Sequence, residues 1–278
     1  KKRFGYMEKK KIIPIILLCV ILIFTLVFII YSRNYDGFKI KDREKVVYQI
    51  RQAYKHRAKS ITLKFNSKSN HRDKLKEVSA ELIDEALAHT KEPDEGDYIR
   101  FQTSGYKLNV DVKDAVLGYD CIIKISPEYY TDAEEEEYVD KRIEEIVAGF
   151  GDISGFSEKE RAKLAYDYIK DSVNYDVVHK YKDSNKSKKT AYQALYYHEA
   201  DCIGYAVLYY RLLLKIGVDN RVVIGDAVTD GESERHAWNE VYIDKEPLYV
   251  DVTLDDVNGT CDYFLKKENE MSGHVRDN

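Results

Sequence analysis

The hydrophobic pattern opens with an unbroken apolar run, residues 12–31, which is 20 positions without a charge. At about 1.5 Å of rise per residue, that length predicts one helix able to cross a bilayer. After it the pattern turns periodic. Val46, Val47, Ile50 and Tyr54 recur at helical spacing and predict a helix over 42–57 with Asp42 as its N-cap. Residues 60–65 alternate as a strand, 75–88 return to helical spacing, and the polar stretch 91–96 ends that helix. Short alternating runs at 98–102, 106–112 and 119–125 predict three strands. Residues 32–128 therefore read as a small membrane-proximal α+β region, a spacer or docking module without a chemical motif.

From 129 onward the pattern predicts a second, larger domain, 129–278. Residues 132–150 form a helix with an acidic first turn (Glu134 to Glu137) and Val139, Ile143, Ile146 and Val147 on one face. Acidic side chains suit the positive end of a helix, so that run implies no metal. Ser157 and Glu160 are spaced as a capping box for a helix through Tyr168 and Ile169. The polar stretch 180–189 reads as a loop, and Thr190 caps a short helix after it. Asp201 then precedes a helical apolar set, Tyr205, Ala206, Tyr209, Tyr210, Leu213 and Leu214, that stops at Gly217. Residues 220–225 predict a buried strand. Alternation over 236–243 puts Ala237, Asn239, Val241 and Ile243 on one face and His236, Trp238, Glu240 and Tyr242 on the other. Residues 244–247 are a turn, and 248–254 predict a returning strand.

Charge fixes an expected orientation. Residues 1–11 hold six positive side chains and one negative one, which predicts a cytoplasmic N-terminus, a single-pass helix at 12–31 and the rest outside the cell membrane. The apolar run is too long for a cleaved signal peptide, and no small-x-small site follows it. Cys19 lacks the preceding small residue of a lipoprotein, and Met7 offers a natural start. Residues 1–31 carry +5 of the chain's net −5, leaving −10 on the remainder, a charge unsuited to nucleic acid. Beyond Cys19 and Cys202, Cys121 and Cys261 are left, and sequence gives no distance between them. The 24 tyrosines fall largely at core spacing and mark no site.

The candidate chemistry lies in three settings in order: Cys202 in Asp201-Cys-Ile-Gly-Tyr-Ala206, His236 in His236-Ala-Trp-Asn239, and Asp251 in Tyr249-Val-Asp-Val-Thr253. Acyl transfer through a thioester needs a thiol, a base to take its proton and a carboxylate to orient that base. Cys202 would open a helix, where free N–H groups and the helix dipole favour a thiolate. An antiparallel hairpin would bring His236 and Asp251 together on one face.

These motifs resemble the core of the transglutaminase-like superfamily, which also includes papain-like peptidases and related amidases. The resemblance is strict over about 190–256 and looser over the C-terminal half, where Asp262-Tyr-Phe-Leu265 and Met271 also fit. It implies Cys202 as nucleophile, His236 as general base and acid, and Asp251 as orienter, with Gly204, Trp238 and Asn239 as supporting motif positions. The chain departs from many relatives just before the cysteine, where Ala200-Asp201 places a carboxylate beside the thiol. A thioester route also needs oxyanion donors, and Tyr192 and Gln193 are candidates for the side-chain donor. The acidic set Asp251, Asp255, Asp256, Asn258 and Asp262 does not match an EF-hand and reads as a solvated turn.

The expected fold class is α+β, with a papain-like/transglutaminase-like core: Cys on a helix N-terminus against an antiparallel sheet carrying His and Asp. One transmembrane helix and the small α+β region precede it. The expected function is a membrane-anchored, extracytoplasmic thiol enzyme acting on peptide or protein amide bonds, cell-wall-associated ones included, by hydrolysis or transfer to an amine. No cofactor, metal or nucleic-acid partner is expected. Two other readings are a catalytically inactive scaffold that keeps the fold, and a papain-like cell-wall endopeptidase. The His-Ala-Trp-Asn and Tyr-Val-Asp-Val-Thr strands fit the latter less well.

Overall fold

A computed structural model describes residues 31–35, 43–68, 70–116, 118–176, 186–229 and 231–277. The predicted span 12–31 lies outside these residues except for Tyr31, as do the Asp42 cap and most of the predicted loop at 180–189. Among the described residues no helix is long and apolar enough to cross a membrane. The chain divides into two units, 1–86 with 105–128, and 87–104 with 129–278. The sequence places one boundary at 128; in the structure, 87–104 also group with the second unit.

In the first unit, β1 (Tyr31–Tyr35), β2 (Ile61–Ser67), β4 (Tyr119–Tyr129) and β3 (Thr103–Asp114) make one sheet in that spatial order. Strand β2 alternates as its sequence predicts, burying Ile61, Leu63 and Phe65, and pairs antiparallel with β4, which buries Cys121, Ile123 and Ile125. Helices α1 (Arg43–Lys55) and α2 (Arg72–Ala86) contribute Val46, Ile50 and Tyr54, and Leu75, Val78, Leu82 and Ile83, to the buried set.

The second unit begins with a correction. Of residues 98–102, predicted as a strand, 98–101 belong to the one-turn helix α3 (Asp97–Phe101) and Gln102 is its C-cap. Gly96, at φ +58°, turns the chain, and the buried Asp97 carboxylate then accepts from the Val222 backbone N–H at 3.0 Å and from Arg221 at 2.7 and 3.0 Å. Five residues are too few for periodicity to separate a strand from one turn of helix, and the tie to a strand distant in sequence decides.

Helix α5 (Glu158–Ser172) starts at its predicted capping box, and α4 (Ala133–Gly149) starts one residue inside the predicted range, with Asp132 as its cap. Asp132 with Glu135 and Ser157 with Glu160 both form reciprocal capping boxes. The short strands β5 (Asn174–Tyr175) and β6 (Glu199–Ala200) pair in parallel, flanking α6 (Ala191–Tyr196), whose Gln193 N–H donates to Thr190 Oγ1 at 3.0 Å. Helix α7 (Cys202–Lys215) is buried on every side from Gly204 to Leu214. It is the centre of a core to which α4, α5, α6 and the sheet all contribute. That sheet is antiparallel, in the order β10 (His274–Arg276), β7 (Asn220–Thr229), β8 (Glu232–Ile243), β9 (Glu246–Val250). Asp244 and Lys245 both have positive φ, as a two-residue hairpin turn requires.

Strand β8 is buried on both faces. Ala237 and Val241 join the main core, whereas Trp238 joins a second cluster with Val223, Tyr249 and Met271. The returning strand also needs correction: it ends at Val250, and 252–257 form helix α8 (Val252–Val257) with Asp251 as its N-cap. Val252 and Thr253 are β-branched and favour a strand locally, but the Asp251 cap and burial of Val252, Thr253, Leu254 and Asp255 favour the helix.

Candidate active site

Cys202 is the first residue of α7 and is half-buried. Asp201 Oδ1 accepts from the N–H groups of Ile203 at 3.0 Å and Gly204 at 3.1 Å, so the cap satisfies the second and third helical amides. The Cys202 N–H has no intrahelical acceptor and points out at the positive end of the helix. Burial pushes the Asp201 carboxyl above its ordinary pKa, against the pull of these two backbone bonds and of Lys189. Gly204 is required by close approach: a Cβ there would lie 2.6 Å from Ala200 Cβ and 2.8 Å from the Lys188 carbonyl oxygen. The first turn of α7 is thereby seated against 188–200.

His236 and Asp251 meet as the sequence expects, but by a different route. The pairing of Asn239 with Val250 sets the β8–β9 register, so Asp251 follows on the same face as His236 and Trp238, diagonal to His236. His236 Nε2 lies 2.7 Å from Asp251 Oδ2, while Asp251 Oδ1 accepts from the Leu254 N–H at 2.9 Å. Strand end and helix cap together fix the carboxylate. The ring's other nitrogen, Nδ1, is not used by Asp251, and His236 lies close enough to Cys202 for the thiol to add to the rise in its pKa. Burial disfavours the charged imidazole, but the Asp251 charge and hydrogen bond outweigh it and raise the His236 pKa above its ordinary value. The same pair holds the fully buried Asp251 below its ordinary value despite desolvation. Trp238 stacks along His236, with ring centroids 6.2 Å apart at 21°.

Asn239 is on the opposite face. Its Nδ2 donates to the Ala206 carbonyl at 3.1 Å and to Asn220 Oδ1 at 3.2 Å, tying β8 to α7. It aligns the two elements that carry Cys202 and His236.

One member of the cluster was missed in the sequence. His274 on β10 places Nε2 2.9 Å from Asp251 Oδ2, the oxygen that His236 also uses. Gly273-His-Val275 has no motif, and nothing local distinguishes this histidine; only the pairing of β10 with β7 delivers it. Tyr175 was missed for the same reason. Burial raises its phenol pKa, and it lies close enough to Cys202 and Asp251 for their charges to add to that rise. His236, Asp251 and His274 present ligand atoms within 4.8 Å of one another, a set able to hold a metal ion. The 2.7 and 2.9 Å contacts are hydrogen-bond lengths; donor atoms each ~2.0–2.1 Å from one shared tetrahedral ion would stand farther apart, about 3.3–3.4 Å.

The ring neighbours of Tyr192 are Tyr138, Tyr196 and Tyr197, an aromatic group on α4 and α6. Gln193 is buried on α6, one of the helices of the core around α7. The acidic segment is a solvated turn only in part: Asn258 and Asp262 are exposed, whereas Asp255 and Asp256 make internal hydrogen bonds. Asp255 is fully buried and accepts from Tyr166 Oη at 2.7 Å, Thr260 Oγ1 at 2.9 Å and the Tyr263 N–H at 3.1 Å. Asp256 accepts from Tyr205 Oη at 2.7 Å. Cys121 is buried and Cys261 exposed, and both are free thiols.

Residues 152–253 match the model of the transglutaminase-like superfamily. Among solved structures, the crystal structure of a TGase is similar over 70% of this chain and 51% of its own, at 16% identity and a TM-score of 0.36. A proposed cysteine protease from Cytophaga hutchinsonii is similar over 63% of this chain and 69% of its own, at 14% identity and a TM-score of 0.34. The chain spans about half the length of the first of these. Among curated proteins, none matches the chain.

Proposed function

With a transglutaminase-like domain at residues 152–253, we propose that this protein is a thiol enzyme that opens peptide or protein amide bonds through a thioester on Cys202. The observation that carries the reading is the 2.7 Å His236–Asp251 hydrogen bond beside a cysteine at a helix N-terminus. Cys202 gives its proton to His236 Nδ1, and Sγ bonds to the amide carbon. The carbonyl electrons move to oxygen, where the Cys202 N–H is one donor and Gln193 is the proposed side-chain donor. Collapse of the intermediate expels the amine, which takes the proton back from His236. Water or a second amine then attacks the thioester, passes its proton to His236, and releases the acid or the new amide. Asp251 holds Nε2–H and stabilises the imidazolium throughout.

The uncharged run 12–31 after a basic N-terminus supports anchoring by one helix with the catalytic unit outside the cell. Residues 32–128 then act as spacer or docking module. Protection of residues 1–11 from protease in intact cells, with cleavage beyond about residue 36, is the expected topology result. A membrane-free chain beginning just after Tyr31 would show a cleaved signal instead.

The decisive test of chemistry is labelling with iodoacetamide at pH 6. Cys202 should react far faster than Cys261, which is exposed and has Lys170 Nζ at 4.0 Å rather than an imidazole, and His236→Ala should abolish the difference. Acyl-enzyme trapped from cell-wall or secreted-protein extract, with Cys202→Ser as control, would identify the substrate. Equal labelling of Cys202 and Cys261 would favour the inactive scaffold.

A further inference from the structure

We infer that Lys188 is a positioning residue for the nucleophile: its side chain closes a clamp, its carbonyl holds the amide just before Cys202, and together they aim the Cys202 N–H at the oxyanion. The functional consequence rests on the thiol-enzyme reading, but the geometry does not. Lys188 lies in the 3₁₀ turn Lys186–Lys189, which leads into the Thr190 cap of α6. Its carbonyl oxygen accepts from the Asp201 N–H at 3.1 Å. Asp201 Oδ1 in turn accepts from the N–H groups of Ile203 and Gly204. The amides on both sides of Cys202 are therefore tied, and its own N–H lies between them at the free end of the helix. Peptide units are planar, so holding the flanking amides leaves the middle one little freedom to turn.

What holds the Lys188 carbonyl in place is the side chain of the same residue. Nζ lies 2.9 Å from Glu199 Oε2 on β6 and 3.3 Å from Asp176 Oδ2, just past β5. The Lys188 side chain is 14% exposed and that of Asp176 6%, so their pair is shielded from water and salt, whereas Glu199 is at the rim. Burial disfavours the ammonium, but the hydrogen bonds and charges of Glu199 and Asp176 outweigh it and raise its pKa. The Asp176 N–H donates to the Ala200 carbonyl at 3.0 Å, which closes the ring. Asp176, Ala200, Asp201 and Lys188 hold one another through one ion pair and two backbone bonds. Gln102 Nε2 fixes the same turn from the end of α3 by donating to the Lys189 carbonyl at 3.0 Å.

The clamp should act on one kind of reaction and spare another. Alkylation of Cys202 forms no oxyanion, so it depends on the thiolate and not on the direction of the N–H. Acylation by an activated ester sets a negative oxygen against that N–H. A clamp that only supported the fold would slow both alike.

The test uses the full chain, compares Lys188→Met with wild type, and takes Cys202→Ser as the blank for the other thiols. Burst release of nitrophenolate from p-nitrophenyl acetate should slow about tenfold, a part of the roughly 10²–10³ lost with a whole oxyanion donor. Iodoacetamide alkylation at the same pH should change less than about twofold, because His236 and the helix end still favour the thiolate. Any other pattern, equal slowing of both reactions or of neither included, overturns the inference. Should Lys188→Met fail to fold, Lys188→Met with Asp176→Asn removes both charges of the buried pair and is read the same way. If wild-type Cys202 acylates and alkylates no faster than a free thiol, it is the thiol-enzyme reading that fails. Hydrogen exchange then decides the clamp: the Asp201 N–H should exchange about tenfold faster or more in Lys188→Met, and unchanged protection overturns it.

Discussion

Asp251→Asn tests the cluster as a unit. The carboxylate accepts three hydrogen bonds: His236 Nε2 at 2.7 Å and His274 Nε2 at 2.9 Å on Oδ2, and the Leu254 N–H at 2.9 Å on Oδ1. Asparagine has one oxygen. If that oxygen keeps the helix cap, its NH₂ faces both imidazole nitrogens, and His236 must turn to the tautomer protonated at Nδ1. A ring protonated there cannot take the thiol proton. In serine-protease triads this substitution lowers turnover about 10⁴-fold, equivalent to ~5.5 kcal/mol of barrier, and a loss of that order is expected here. Without a known substrate, alkylation at pH 6 reports the same step. An ordinary thiol is about 0.3% thiolate at that pH and an imidazolium-paired one mostly thiolate. The weaker nucleophilicity of a stabilised thiolate takes back part of that ratio, leaving a slowing of about tenfold. Folding is best checked by urea denaturation of both proteins at one pH, where the loss should be at least the scale of unmade hydrogen bonds, about 1–3 kcal/mol. Neighbouring acids supply the contrast. Asp256→Asn loses one bond from Tyr205, and Asp244 lies at the remote hairpin turn. Asp255→Asn should cost about 1–3 kcal/mol, because Tyr166, Thr260 and Tyr263 all donate to it, yet should leave labelling of Cys202 intact. Loss of turnover in Asp255→Asn or Asp256→Asn with retention in Asp251→Asn would refute the reasoning.

Two further outcomes follow from the same geometry. Gly204→Ala pushes a methyl group into Ala200 and the Lys188 carbonyl oxygen, so urea denaturation should show a loss of roughly 1–3 kcal/mol, together with slower labelling of Cys202. For pH, His236 is held above its ordinary 6.5, so its stabilisation is complete below 6.5 and is lost as pH rises through the elevated value. Asp251, held below its ordinary 3.8, stabilises above 3.8 and loses that contribution as pH falls through the depressed value. The melting temperature should therefore decline above pH 6.5 in the wild type, and the decline should flatten in His236→Ala. An unchanged slope in that variant would place the pH dependence elsewhere.

Local chemistry was enough for the helix starts. Ser157, Thr190 and Asp201 cap as their spacing predicts, because a side-chain oxygen two or three residues ahead of free amides needs no distant partner. Periodicity likewise placed α7 and β8, whose long apolar patterns leave little choice of face. The order Cys202, His236, Asp251 could be read from the chain because each residue sits in a motif of its own. Tertiary structure decided what short windows cannot. Asp97 turned a five-residue alternation into helix α3 by capturing a strand more than a hundred residues away. Burial of Leu254 and Asp255 made Asp251 a helix cap rather than a strand residue. Whether an acidic residue is solvated or buried depends on which donors meet it, and for Asp255 those donors come from α5 and the C-terminal segment. His274 shows the limit most plainly: its sequence context carries no signal, and its place on Asp251 exists only because β10 closes along β7 over Gly225.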